Sequence, residues 1–181
     1  MTEGPVKNVS ETLFTLAGEI ACALLIGAFV HAQVQSSHSV SISGSRYSPT
    51  TLNSQLRDRT DIPPRLPALS PDEEIFAVPR EITSSKYEIL LATKLPCEGG
   101  NACLYGSLQG SRSSLEPVDG NAIEVPIANG IVGQFTAAKC YAFCSQSYIR
   151  WKEKAVFYSI GIKAGKKGDL IKAARSCIDS H

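Results

Sequence analysis

Residues 148–162, YIRWKEKAVFYSIGI, and residues 168–178, GDLIKAARSCI, decide the fold. Tyr148–Trp151 and Val156–Ile162 are two apolar-rich runs around a charged turn, Lys152-Glu153-Lys154, which predicts a β-hairpin. Val156, Tyr158, Ile160 and Ile162 alternate onto one face, with Ser159 and Gly161 on the other. The period then changes. After Gly165-Lys166-Lys167-Gly168, Asp169 serves as N-cap or first-turn acid. Leu170, Ala173, Ala174, Cys177 and Ile178 form one apolar stripe at helical spacing, with Lys172, Arg175 and Asp179 facing away. A hairpin followed by an amphipathic helix predicts an α+β class: an antiparallel β-sheet with a C-terminal helix packed on one face.

Upstream runs extend the sheet. Glu74–Val78 is a short strand ahead of Pro79, and Tyr87, Ile89 and Leu91 alternate with Glu88. Ala102–Leu108 is a third strand. In Ile123–Ile127, Pro126 lacks a ladder donor and argues for a sheet edge. Ile131–Phe135 follows Gly130 and contains Gly133. Residues 61–71, DIPPRLPALSP, hold four prolines and predict an extended or turn-rich lead-in. Residues 33–60 are rich in serine and poor in large apolar side chains, so they are expected to be a linker. The folded part is expected over 61–181 as one α+β domain.

The start of the chain sets the compartment. Leu13–Ala32 is an apolar run preceded by Lys7 and closed by Val30-His31-Ala32, the layout of a secretory signal with small residues before a cut. Its expected form is a leader helix over 1–32, either cleaved or retained as a membrane anchor, since its length just reaches a bilayer span. Glu19 inside the run is costly in lipid. Either form places Gln33 onward outside the cytoplasm, in the periplasm or secreted.

The leader holds Lys7 against Glu3, Glu11 and Glu19, which leaves 17 basic and 14 acidic residues beyond it, a net charge of +3. That is no nucleic-acid signature. The basic residues nevertheless gather late in the chain: Lys139, Arg150, Lys152, Lys154, Lys163, Lys166, Lys167 and Lys172. A basic face built from them would attract an anionic envelope polymer, a membrane surface or an acidic protein.

Five cysteines lie beyond the leader. Cys97 and Cys103 flank a glycine-rich turn, and Cys140 and Cys144 are closer still. The preferred pairing is 97–103 and 140–144, although four cysteines allow three connectivities. Each short closed loop contributes roughly 2 kcal/mol in the chain-entropy picture. Cys177 falls on the helical apolar stripe and is expected to be a buried thiol. An all-cysteine zinc site fits the spacings poorly, so no metal and no cofactor is expected.

The sequence offers no catalytic constellation. His38 lies in the serine-rich stretch and His181 ends the chain, which leaves the predicted core without a histidine base. Glu88, Glu98, Glu116, Asp119, Glu124 and Glu153 are scattered; a glycosidase would need two of them across a cleft. No phosphate-binding glycine loop occurs. Trp151 and the tyrosines are expected as core or half-buried packing rather than as a sugar or peptide platform.

Several short motifs carry a resemblance. Ile149-Arg150-Trp151, Tyr158-Ser159-Ile160 and the final helix, with Arg65-Leu66-Pro67, Asn101-Ala102-Cys103, Gly133-Gln134-Phe135 and the close pair Cys140 and Cys144, resemble an uncharacterised family of exported bacterial proteins, mostly from photosynthetic bacteria. A more distant likeness is to small envelope domains of anti-sigma and sporulation proteins. The resemblance spans about residues 62–178 and implies an exported envelope domain; it transfers no catalytic residue. Cys177 departs from it, standing where a small residue is expected. The expected function is therefore a non-enzymatic binding or structural module of the cell envelope. The alternatives are a carboxylate hydrolase of envelope polymers and an accessory subunit of a membrane assembly held by residues 13–32.

Overall fold

Two antiparallel meanders meet side by side in one sheet. The structure, a computed structural model, describes residues 44–69, 72, 74–115 and 121–179. In chain order the elements are β1 (Ser45–Arg46), α1 (Pro49–Arg57), β2 (Phe76–Thr83), β3 (Lys86–Ala92), β4 (Leu104–Ser111), β5 (Ile123–Ala128), β6 (Ile131–Thr136), β7 (Gln146–Glu153), β8 (Val156–Lys163) and α2 (Lys167–Asp179). The eight strands lie in the order β1-β2-β3-β4-β8-β7-β6-β5, and every pairing is antiparallel. The chain thus shows the expected antiparallel sheet with a C-terminal helix, with more strand than helix. The predicted leader helix lies outside the described residues.

Turn chemistry sets the registers. Asn129 and Gly130, at φ 49° and 76°, supply the two left-handed residues of a tight hairpin that pairs Ala128 with Ile131. Lys154, at φ 54°, plays a similar part between β7 and β8. Lys152 and Glu153 belong to β7 rather than to the turn. Pro126 sits on β5, the outer strand that its missing donor predicts.

One face of the sheet carries the core. The register places Ile89, Leu108, Ile160 and Ile149 in one row across four strands, each almost fully buried. Trp151 and Tyr158 form the next row and stack with ring centroids 5.4 Å apart. Gly110 is required beside them, because a Cβ there would run into the buried Tyr87 ring. α2 covers this face with Leu170, Ala173, Ala174, Cys177 and Ile178, as the helical stripe predicts. Arg175 Nε donates to the Ile127 carbonyl at 3.0 Å and ties α2 to β5.

The proline-rich lead-in crosses this same core without regular structure, burying Ile62, Leu66 and Pro67. Buried and half-buried tyrosines satisfy its backbone, which proline cannot place in a ladder. Tyr158 Oη donates to the Pro63 carbonyl at 3.0 Å, Tyr47 Oη donates to the Pro67 carbonyl at 2.7 Å, and the Arg65 N–H donates to Tyr87 Oη at 3.1 Å. The Arg65 guanidinium pairs with Glu153 at the β7–β8 tip, and its Nη1 donates to the Cys177 carbonyl at 3.4 Å. Lead-in, last hairpin and last helix are therefore clasped at one point.

Three further expectations need correction. The strand predicted over Ala102–Leu108 runs over Leu104–Ser111 instead, because residues 101–103 form a turn in the loop that the Cys97–Cys103 bridge closes. The serine-rich stretch 33–60 is not a linker throughout: β1 and α1 form within it. Ser48 caps α1, Pro49 opens it, and Leu52 and Leu56, one turn apart, bury fully against the core. Two well-spaced leucines suffice to dock so short a helix. The strand predicted to stop at Pro79 continues to Thr83. β1 pairs only with Phe76 and Ala77, so beyond them β2 has no outer partner among the described residues, and the register shifts between Pro79 and Glu81.

Candidate functional site

The opposite face of the sheet is polar. Because side chains alternate, the register that stacks the core also aligns a second set of residues on this side. Glu88, Gln109, Ser159, Arg150, Gln134 and Glu124 sit opposite one another in a continuous row across β3, β4, β8, β7, β6 and β5. The neighbouring row runs through Ser107, Gly161, Tyr148 and Thr136. Here, too, a glycine makes room. A Cβ on Gly161 would meet Gln146 Oε1, Tyr148 Cε1 and Ser107 Oγ, atoms of the side chains that close over it.

A trough of about 1010 Å³ opens above these rows. Its floor includes Glu88, Gln109, Ser111, Gln146, Tyr148 and Arg150. Ser107 Oγ donates to Gln146 Oε1 at 2.9 Å, which fixes the amide and directs its Nε2 donors away from the hydroxyl. The Arg150 guanidinium lies 5.4 Å from the centre of the Tyr148 ring, a cation–π pair. Desolvation raises the Tyr148 pKa, partly opposed by Arg150, and lowers that of Arg150. Ser159 is 3% exposed in the middle of the polar row, and its Oγ has no hydrogen-bond partner among the described residues.

Both disulfides lie on this face. Cys97 and Cys103 are bridged, buried, and packed with Ala92, Phe76 and Val78 in a small cluster separate from the main core. Their loop brings Asn101 to the trough, where its carbonyl accepts from Lys163 Nζ at 2.5 Å. Cys140 and Cys144 are bridged across a 4.0 Å Cα–Cα gap and form a knuckle on the trough wall. The knuckle is fixed from below. The Lys139 N–H donates to Ser145 Oγ at 2.9 Å, the Ser145 N–H to the Lys139 carbonyl at 2.9 Å, and the Ala138 N–H to Ser147 Oγ at 2.9 Å. It presents Tyr141 and Phe143 at 88% and 68% exposure, both on the trough. The preferred cysteine pairing is the one observed, and Cys177 is a buried thiol outside both bridges whose pKa desolvation pushes up to about 12.

The eight predicted basic residues do not share a face. Lys139 and Arg150 line the trough. Lys152 and Lys163 lie on the same side of the sheet, Lys152 with its Nζ 5.0 Å from the Phe157 ring centre. Lys154 sits in the β7–β8 turn, and Lys166, Lys167 and Lys172 are exposed at the start of α2 and along it. Charge clustering along the chain fails as a guide here because β7, a turn, β8 and α2 send consecutive lysines to different sides.

Sequence reasoning missed Gln109, Gln146 and Ser159, which are ordinary polar residues until the register aligns them. It also assigned the tyrosines to packing. Trp151, Tyr87 and Tyr158 are core, but Tyr148 and Tyr141 belong to the trough. The available signal was Cys140-Tyr-Ala-Phe-Cys144, a loop too short to bury the aromatics it carries. His38 and His181 lie outside the described residues. Among the described residues no group of histidine, cysteine or acidic side chains is arranged to hold a metal, and no helix is long and apolar enough to cross a membrane. The two disulfides fit an extracellular location. Comparison with protein-family models, curated proteins and solved structures finds no match to the chain.

Proposed function

We propose that the chain is an exported, non-enzymatic binding module of the bacterial cell envelope, with the trough as its ligand site. The observation that carries this reading is the pairing of a buried core on one sheet face with a concave, disulfide-walled polar surface on the other. A sheet face with only a structural role has no need of a trough and two displayed aromatics. The signal-like layout of Leu13–Ala32 and the two short disulfide loops support export to the periplasm or beyond. The motif resemblance to exported bacterial proteins points the same way. Glu88 is the one carboxylate among the described trough residues, whereas glycoside hydrolysis through carboxylates uses two.

Two measurements test the proposal. Intact mass of the protein from its native host, alkylated without reduction, is expected to start at Gln33 with one modified thiol. A full-length mass with five or six modified thiols would remove the export reading. Sedimentation with purified envelopes of the host is expected to carry the protein down. The double variant Gln109→Ala/Arg150→Gln is expected to remain in the supernatant with its melting temperature within a few degrees. Equal sedimentation of the two proteins would remove the trough as the site.

A further inference from the structure

The geometry points to an anionic glycan as the ligand: a chain of sugar rings bearing carboxylate or sulfate groups, laid along the trough. This inference rests on the binding reading and names its ligand class.

Four features of the trough select that chemistry. The first is charge. In the described lining Lys86 is paired with Glu88 and with Glu81, which leaves Lys139 and Arg150; outside the lining Lys152 and Lys163 stand against Glu124 on the same side of the sheet. An excess of cations in a concavity with a low-dielectric floor favours an anionic ligand. The second is the polar set. Gln109, Gln146, Asn101 and Ser111 are neutral, two-way hydrogen-bonding groups, suited to ring hydroxyls that both donate and accept.

The third is the aromatic set. Tyr141 and Phe143 are held out on a disulfide-closed knuckle, and the Tyr148 ring packs beside Gly161. A rigid exposed ring offers an apolar surface to the C–H face of a sugar at small entropic cost. The fourth is the backbone. The floor is the interior of a sheet whose strands are paired on both sides, so its N–H and C=O groups are already used. An acidic peptide recognised by strand addition needs an open edge, which this floor does not provide; recognition here must run through side chains. The volume, about 1010 Å³, is at the top of the range for small-molecule sites and suits several linked rings rather than one.

The test is a chemical-shift titration of the disulfide-intact protein with four probes: oligogalacturonate, sulfated dextran oligomer, neutral maltooligosaccharide and oligoglutamate. Either anionic glycan is expected to shift amides of β4, β7, β8 and residues 139–145, and the two probes separate carboxylate from sulfate. Lys139→Gln and the double variant Tyr141→Ser/Phe143→Ser, all at exposed positions, are each expected to weaken binding about tenfold. Both are expected to leave the melting temperature unchanged. Equal binding of the neutral oligosaccharide, or of oligoglutamate, overturns the glycan assignment. So does silence of both anionic glycans. If the trough variants still abolish envelope sedimentation in those cases, the binding module stands without this ligand; if they do not, both readings fall.

Discussion

The two faces of this sheet are held together by different means. The core face uses burial: rows of isoleucine, leucine and aromatic rings under α1, the lead-in and α2. Among the described residues the trough face has the small cluster around Ala92, Cys97 and Cys103, and it carries both disulfides. Covalent loop closure stands where apolar area is missing. The comparison teaches that the disulfides mark the face not covered by helix or lead-in, because a shaped polar surface cannot be stabilised by filling it with leucine.

High pH should break the comparison most completely. Burial pushes the Tyr158 phenol and the Cys177 thiol up to about 12, from ordinary values of 10.0 and 9.0, and it raises Tyr47 and Tyr87 as well. These groups are neutral when protonated, so the folded state holds its protons more tightly than the unfolded chain. Their stabilisation is complete below pH 9.0 and is lost as pH rises toward about 12. Cooperative loss of far-ultraviolet circular dichroism is expected in that interval, together with tyrosine ionisation. Full ionisation of the tyrosines in a chain that keeps its sheet would contradict the burial of the core face.

Neighbouring residues sharpen the contrast. Ile160→Ala on the core face should cost about 3–4 kcal/mol in urea unfolding. Ser159→Ala, one residue away on the other face, should fall within about 0.5 kcal/mol of wild type, because it removes an unpartnered hydroxyl. Comparable losses at both positions would mean that the faces are not distinct.

The glycines give a smaller difference. Gly110→Ala drives a methyl into the fully buried Tyr87 ring and should destabilise by about 2–3 kcal/mol. Gly161→Ala meets the ends of Gln146 and Ser107 and the edge of Tyr148, which can yield toward the trough. It should cost about 1 kcal/mol while rearranging the floor. The smallest effect expected is one of order. In a thiol titration the exposed Cys140–Cys144 bridge should be reduced before the buried Cys97–Cys103 bridge, as followed by mass mapping of alkylated peptides. The reverse order would place the buried bridge, not the knuckle, as the accessible one.

Period and punctuation made the core face legible. Val156, Tyr158, Ile160 and Ile162 alternate cleanly, and Leu170 to Ile178 repeat at helical spacing, so the last hairpin and α2 stand where the pattern puts them. α1 was hidden because serine content outweighed a Ser48-Pro49 start and two leucines. The trough was illegible for a deeper reason. Its floor draws single residues from several strands, and their alignment depends on β4 pairing with β8, which no local pattern announces. Only the cysteine knuckle, with its aromatics, was visible in advance.

The clasp at Arg65 has a consequence for timing. Its partners Glu153 and Cys177 lie 88 and 112 residues further along the chain, and the two meanders join only through β8. Contacts so distant in sequence delay folding until nearly the whole chain is available. A chain with that order of assembly stays threadable while it is being made. The same late closure means that a chain lacking α2 leaves part of the core face uncovered.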